Sequence, residues 1–153
     1  MNFNKLFLGL LVVFILAAGT SIVFAEEVKV SDISFDVPGN YSVDKTTDDS
    51  CVLRNNLSSN YTISIVLAGS SDPIVEKHSR QASGFSFMSE ENYTSANNLS
   101  VNQQNFVKNE SYFSFYTFDV GSSSYMVIYT FPVHDDELVD HVSPVNDIID
   151  SIQ

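Results

Sequence analysis

The chain has 153 residues and carries 19 Asp and Glu side chains against 7 Lys and Arg, which gives a net charge of −12 at pH 7. Such an acidic chain repels a phosphate backbone, which argues against nucleic-acid binding. The single cysteine, Cys51, permits no internal disulfide, so packing alone must stabilise the domain. Cys51 stands in a short apolar run, and we expect it to be buried as a small apolar residue.

The N-terminal residues have the pattern of an export signal. Lys5 is the only charge in residues 1–25, and an uncharged, largely apolar stretch follows it from Leu6 to Ala25. A short basic head before such a stretch is typical of a secretory signal. The stretch is also long enough to cross a hydrocarbon core of about 30 Å as a helix. We therefore expect residues 1–25 to be a signal peptide or an N-terminal membrane anchor, with residues 26–153 as a single domain outside the cytoplasm.

Asparagine sequons support the expectation of export. Asn-X-Ser/Thr occurs six times, which is more than the Asn, Ser and Thr content would give by chance. Where the host has the machinery, such asparagines accept glycans on surface turns. The alternative is that these residue types are simply common in loops. The candidate glycosylation sites are Asn40, Asn56, Asn60, Asn92, Asn98 and Asn109.

The first half of the domain predicts an antiparallel meander. Residues 33–37 alternate apolar and polar side chains, Pro38-Gly39-Asn40 predicts a turn, and the alternation resumes at Tyr41. Two further strands are predicted at 51–54 and 61–67.

A helix is predicted after the meander. Asp72-Pro73 has the residue types of a helix start, and Gly84 has that of a helix end, with Ile74, Val75 and Ala82 as a thin apolar face. The sequence indicates no clear element for residues 85–105.

The second half predicts a hairpin and a closing helix. Strands at 112–120 and 125–133 flank a four-residue loop, and apolar residues on both of their faces favour a central position in a sheet. An apolar stripe then predicts a C-terminal helix from Ser143-Pro144, after a short acidic helix over 135–141. The expected fold is α+β, an antiparallel sheet with helices packed on it. The predicted core residues are Phe35, Ile63, Ile65, Phe115, Ile128, Ile149 and Ile152.

The opening and closing segments of the domain carry a family resemblance. Residues 33–41 read Ile-Ser-Phe-Asp-Val-Pro-Gly-Asn-Tyr, and residues 145–152 read Val-Asn-Asp-Ile-Ile-Asp-Ser-Ile. They resemble the opening hairpin and the final helix of the PsbP-like family, whose members are small exported α/β domains. The resemblance implies a PsbP-like sandwich and an accessory or assembly role rather than catalysis. It implies no metal-binding residue in this sequence.

The best candidate for a metal site lies near the C-terminus. On a helix, His134, Glu137 and His141 share one face, and two imidazoles with a carboxylate could hold a transition metal. The alternative is a solvated acidic helix start, which the helix dipole favours. The acid pairs Asp48-Asp49 and Asp135-Asp136 are further candidate ligands, for Ca²⁺, but they lack the ligand spacing of an EF-hand loop.

Two other patterns have simpler explanations than chemistry. The serine-rich segment Gly121–Ser124 lacks the Gly-X-Ser-X-Gly motif of a nucleophile and is explained as a hairpin loop. Four tyrosines along the hairpin could stack on sugar or peptide, but a sheet face packed under a helix explains them better. They are Tyr112, Tyr116, Tyr125 and Tyr129.

No catalytic residue and no cofactor is indicated by these patterns. We therefore expect a non-catalytic exported accessory or binding module of the cell envelope, whose partner is an envelope protein or a surface ligand. Contact with a membrane is expected only through residues 1–25, if they stay uncleaved. The alternatives are a cell-surface enzyme with an unrecognised site and a structural or adhesive component of the envelope.

Overall fold

The computed structural model describes residues 26–69, 72–133 and 143–153. Within these ranges the chain forms nine strands and two helices. They are β1 (Glu27–Val30), β2 (Ile33–Asp36), β3 (Tyr41–Thr47), β4 (Ser50–Asn55), β5 (Thr62–Ala68), α1 (Pro73–Ala82), β6 (Ser86–Thr94), β7 (Ser100–Lys108), β8 (Ser111–Val120), β9 (Ser123–Pro132) and α2 (Pro144–Ser151). Neither of these two helices has the length and hydrophobicity that crossing a membrane requires.

Seven of the strands form one large antiparallel sheet in the order β3-β4-β5-β9-β8-β7-β6, and β1 pairs with β2 in a separate ribbon. The expected antiparallel sheet is therefore confirmed, although strands dominate the structure more than an α+β prediction implies. The central position predicted for the β8–β9 hairpin is also confirmed, because β9 pairs with β5 and β8 pairs with β7.

The hydrophobic core lies on one face of the large sheet, here called the core face. Alternate residues of β4, β5, β8 and β9 point to this face, where the β1–β2 ribbon and α2 cover them. From α2, Val145 and Ile149 are fully buried, as the apolar stripe predicted, and Ile148 is fully buried as well. Ser143 caps α2 by accepting a hydrogen bond from the backbone N–H of Val145 at 3.3 Å, and Pro144 occupies its first turn.

One predicted core residue is wrong. Phe35, Ile63, Ile65, Phe115, Ile149 and Ile152 are buried, but Ile128 is only half-buried. Ile128 pairs with Ser64 and Phe115, so it points to the opposite face of the sheet, which α1 covers only in part. Because both faces of β9 carry apolar residues, the sequence did not show which set faces the core.

The opening meander is also wrong in one respect. The turn at residues 38–40 does not fold β2 against β3 as a hairpin, because β2 pairs with β1 instead. The chain passes at this turn from the β1–β2 ribbon into the large sheet. Strand β1 was not predicted, although its residues Glu-Val-Lys-Val alternate polar and apolar side chains as those of β2 do.

The loop of the β8–β9 hairpin is shorter than predicted. Pairing continues to Val120 and Ser123, which leaves Gly121 and Ser122 as a two-residue turn in place of the predicted four-residue loop. Gly121 has a φ of 61°, as the first central position of a type II′ turn requires. Such a turn matches the twist of the two strands, so the strands extend further than loop composition suggests.

Candidate functional site

Helix α1 has the predicted ends but the opposite orientation. Asp72 caps it by accepting hydrogen bonds from the backbone N–H groups of Ile74 and Val75 at 3.0 and 3.3 Å. The face predicted to be buried is nevertheless turned to solvent, with Ile74 67% and Val75 59% exposed. Ala82 is exposed as well. The predicted apolar packing of this helix is therefore wrong, and the opposite face of α1 lies on the sheet.

The face of α1 that lies on the sheet is charged, and Arg80 is its centre. Arg80 is only 7% exposed. Its guanidinium donates hydrogen bonds to Gln104 Oε1 at 2.6 Å and to Glu76 Oε2 at 3.1 Å, and lies 4.0 Å from the centre of the Phe115 ring. Burial lowers the pKa of Arg80, and the neighbouring Glu76 carboxylate opposes that shift. The side chain stays charged, because an arginine is protonated under any ordinary condition.

Glu90 on the edge strand β6 joins this arrangement from the side. Its carboxylate accepts hydrogen bonds from Asn102 at 2.9 Å, from Gln104 at 3.1 Å and from Lys77 at 3.2 Å. The two amide hydrogen bonds, with help from Lys77, lower the pKa of Glu90 and keep it ionised. The Gln104 amide also donates to the backbone carbonyl of Pro73 at 2.8 Å, which fixes the start of α1 on the sheet.

These contacts form a closed polar network between α1 and the sheet. We call it the α1 network, made up of Glu76, Lys77, Arg80, Glu90, Asn102 and Gln104. Across the described residues, every buried side-chain nitrogen and oxygen has a hydrogen-bond partner. A satisfied network positions a helix rigidly but presents no free group to a substrate. Its consequence is that α1 is fixed with Ile74 and Val75 outward.

An open groove carries the predicted acid pair Asp48-Asp49. Asp32 from the β1–β2 turn and Lys29 also line it, and its volume is about 600 Å³. In the described part of the chain, no three His, Cys, Asp or Glu side chains are placed to hold a metal ion. Of the other residues predicted as ligands, His134, Glu137 and His141 lie outside the described residues, and so does the pair 135–136.

The tyrosines of the β8–β9 hairpin belong to the core face. Tyr116, Tyr125 and Tyr129 are buried, and the Tyr116 hydroxyl forms a 3.1 Å hydrogen bond with Ser143 at the start of α2. Burial raises the pKa of Tyr116 and of Tyr129. Tyr112 is half-buried, with its ring 5.3 Å from that of Phe131. The packing interpretation of this stripe is confirmed, and a sugar-stacking surface made of all four rings is ruled out.

Cys51 is fully buried in the core, as its apolar neighbours predicted. Burial, with a smaller contribution from Glu26, raises the pKa of the thiol to about 11. Since the thiolate is the reactive form, a thiol that stays protonated in the core is a packing residue rather than a nucleophile.

All six sequon asparagines are exposed. Five of them lie in turns or loops between strands, whereas Asn92 lies within the edge strand β6. The five are Asn40, Asn56, Asn60, Asn98 and Asn109.

Comparison with known proteins shows which fold this architecture resembles. No protein-family model matches the sequence, and no curated protein is significantly similar to it. Among solved structures, the chain is similar to the solution structure of cyanobacterial PsbP (CyanoP) from Synechocystis sp. PCC 6803, with a TM-score of 0.55 over 88% of this chain and 95% of that chain. The protein has a PsbP-like fold. The two sequences are 11% identical, so the similarity shows the fold alone.

A second structure is less similar. It comes from Bacteroides thetaiotaomicron VPI-5482, with 11% identity and a TM-score of 0.43 over 79% of this chain and 44% of that chain. At that score the similarity carries no argument about this protein.

Within the PsbP-like fold, the residues of the α1 network were missed from the sequence. Gln104 and Asn102 lie in a stretch of polar residues for which no element was predicted. Lys77 and Arg80 read as ordinary solvent-facing residues of a short helix. The one available signal was their spacing, since Glu76 and Arg80 are four residues apart and share a helix face. That spacing shows a shared face but not that the face is buried.

Proposed function

We propose that this protein is a non-catalytic exported accessory or binding module of the cell envelope, and that it contacts a partner protein through the outer surface of α1. That surface consists of Ile74, Val75 and His78, all of which are exposed. The single observation that carries the proposal is the reversed orientation of α1, with isoleucine and valine in solvent and an arginine buried beneath them. An amphipathic surface helix ordinarily shows the opposite arrangement.

The orientation of α1 is fixed, which makes the exposed residues available. Arg80 is held by Gln104 and Phe115 on the sheet, and Pro73 is held by Gln104, so both ends of the helix are attached. A helix that could roll would bury its own apolar residues. Because this one is anchored through its charged side, Ile74 and Val75 remain at the surface.

The chemistry of this surface fits a protein partner. Its residues include no carboxylate, although the chain as a whole has a net charge of −12. The centres of protein interfaces are depleted in charged residues, so a partner can bind this surface without desolvating a carboxylate. Full burial of an isoleucine or valine is worth about 1.5–3 kcal/mol, so covering the exposed fractions of both would contribute about 2–4 kcal/mol.

The small size of this surface favours a separate partner protein over a second copy of this chain. A stable dimer buries about 800 Å² on each subunit, far more than two side chains provide. A weaker contact, in which the partner's own groups supply the remaining affinity, fits the small size of the surface. Export is supported by the signal-like residues 1–25 and by the exposure of the sequon asparagines.

Site-specific photo-crosslinking in the native envelope tests this proposal. A photoreactive residue at position 75 of the full chain should give one covalent adduct with another protein, and Ile74→Glu should abolish it. The matched control carries the same residue at position 46, because Thr46 is exposed in β3 at the opposite edge of the large sheet and does not belong to the α1 surface. The same adduct from both positions, a homodimer only, or no adduct at position 75 would refute the assignment.

A second candidate function has an observation in its favour. A structural or adhesive component of the envelope needs surface glycans more than a defined partner, and all six sequon asparagines are exposed. Glycosylated protein without any adduct from position 75 would favour this candidate. The remaining alternative, an enzyme, would be favoured by a pH-dependent activity that His134→Ala or His141→Ala abolishes.

A further inference from the structure

We propose that this domain carries N-linked glycans at its turn and loop sequons, that four of these glycans gather at one end of the large sheet, and that Asn92 is left unmodified. The inference rests on the export in the proposed function but not on the α1 surface. Sequons alone do not distinguish among the six sites. Their places in the fold do.

The antiparallel register brings four sequons to one end of the sheet. The turn before β3 and the β4–β5 loop meet there, because the backbone N–H of Asn56 donates to the carbonyl of Asn40 at 2.8 Å. Asn60 follows Asn56 in the same loop. The β7–β8 turn, which contains Asn109, lies at this end too, since Ser111 pairs with Pro132 and Thr62 pairs with Thr130. Asn98 lies in the β6–β7 loop at the other end.

The side chains of these asparagines are free to react. Within the described residues, Asn40, Asn56, Asn60, Asn98 and Asn109 make no side-chain hydrogen bond, and all are exposed. In N-glycosylation the side-chain nitrogen attacks C1 of a lipid-phosphate-linked sugar. The new C1–N bond replaces the C1–O bond to the phosphate, the lipid phosphate leaves, and the nitrogen loses one proton to a base of the transferase. The transferase must therefore reach the amide and the hydroxyl of the Ser or Thr two positions on.

Asn92 differs from the five turn and loop sites in its backbone and its side chain. It lies within β6, as the third residue from the end of the strand, and pairs with Asn102 of β7. Its side-chain oxygen accepts a hydrogen bond from the Asn102 amide at 3.0 Å. A transferase would have to detach this strand from the sheet and break the link to the α1 network. We therefore expect the folded domain to protect Asn92 from modification.

The four gathered glycans would lie away from the first turn of α1. The C-terminal end of α1 points toward the four-sequon end, because Lys108, next to the β7–β8 turn, donates to the carbonyl of Ser83 at 2.8 Å. Ile74 and Val75 lie in the first turn of the helix, away from that end. The four gathered glycans and the proposed contact surface therefore occupy different parts of the domain, whereas Asn98 lies at the same end of the sheet as the first turn of α1.

Intact-mass measurement and glycopeptide mapping of protein purified from its native envelope test the inference. We expect glycans on the turn and loop sites and an unmodified Asn92. Ser42→Ala should remove one glycan from the total mass by destroying the Asn40 sequon, and Ser42→Thr should restore it. Asn92→Gln should remove none.

Two results would overturn the inference. Protein with no glycan at any site refutes it, and modification of Asn92 as fully as the turn sites refutes the role of the fold. N-terminal sequencing of the same sample separates this failure from that of export. A terminus at Glu26 without glycans leaves export intact, whereas an intact Met1 in the cytosolic fraction contradicts both.

Discussion

Replacing Arg80 tests whether the α1 network fixes the helix. Arg80→Ala removes the donor to Gln104 Oε1, and a buried acceptor without a partner costs about 1–3 kcal/mol. It also removes the cation from the face of Phe115, an interaction worth up to about 2 kcal/mol when it is desolvated. The ion pair with Glu76 adds little, because pairs four residues apart on a helix contribute about 0.2–0.5 kcal/mol. We therefore expect a loss of about 1–5 kcal/mol in the free energy of unfolding.

Two further variants separate the contacts of Arg80. Glu76→Gln removes only the ion pair, so it should cost about 0.5 kcal/mol or less. Arg80→Lys keeps the positive charge but loses the planar fork that reaches Gln104 and Glu76 together, so its loss should be intermediate. The assay is urea unfolding of residues 26–153, followed by tyrosine fluorescence because the chain contains no tryptophan.

The reasoning would be refuted by a small effect. A loss below about 1 kcal/mol for Arg80→Ala would mean that Gln104 and Phe115 do not hold the helix. So would an Arg80→Lys variant as stable as the original protein, because an ammonium group cannot reproduce the fork. Either result would remove the physical reason for the exposure of Ile74 and Val75.

Three other predictions concern the core, the thiol and metal binding. Ile149→Ala should cost about 2–5 kcal/mol in urea unfolding, because Ile149 is fully buried under the sheet, and a loss below about 0.5 kcal/mol would place α2 outside the core. Cys51 should resist alkylation at pH 8 until the protein unfolds. Because its folded pKa is raised to about 11, the unfolded thiol ionises first, so stability should fall as the pH rises from the ordinary thiol pKa toward 11, and rapid alkylation of the native protein would contradict this. The melting temperature should not change between EDTA and excess Zn²⁺, Ni²⁺ or Ca²⁺. A metal-dependent rise that His134→Ala or His141→Ala abolishes would contradict this, since a metal at 100 times its dissociation constant stabilises by about 2.7 kcal/mol.

The parts of the fold predicted from sequence are those with a strong local pattern. The strands of the β8–β9 hairpin are rich in aromatic and aliphatic residues on both faces, and the stripe of α2 repeats every three or four residues. Strands β6 and β7 were missed because their inward positions include Asn102 and Gln104. A period-two pattern treats such residues as solvent-facing. Asn102 and Gln104 can lie under α1 because they form hydrogen bonds with Glu90 and Arg80, which are distant in sequence.

The candidate site was also predicted only in part, where it depends on residues that are close in sequence. The ends of α1 follow from local chemistry, since Asp72 and Gly84 act within a few residues of themselves. The face that α1 buries depends on Gln104 and Phe115, which lie 24 and 35 residues after Arg80. Hydrophobicity alone therefore assigned Ile74 to the wrong side. The sequons were found from the sequence, but their gathering at one end depends on the register of the sheet.

The orientation of α1 can be understood by comparing the two ways in which it could lie on this sheet. Rolled by half a turn, it would bury Ile74 and Val75 and gain about 2–4 kcal/mol. It would lose the contacts of Arg80 with Gln104 and Phe115, which are worth about 1–5 kcal/mol together. The amide of Gln104 would then face an apolar side chain. The contacts that hold the observed orientation are therefore comparable in size to the apolar burial that it forgoes, because this sheet face carries an amide and an aromatic ring that together fit an arginine. Ile74 and Val75 therefore stay exposed in the folded domain, and the free energy of burying them is available for binding a partner.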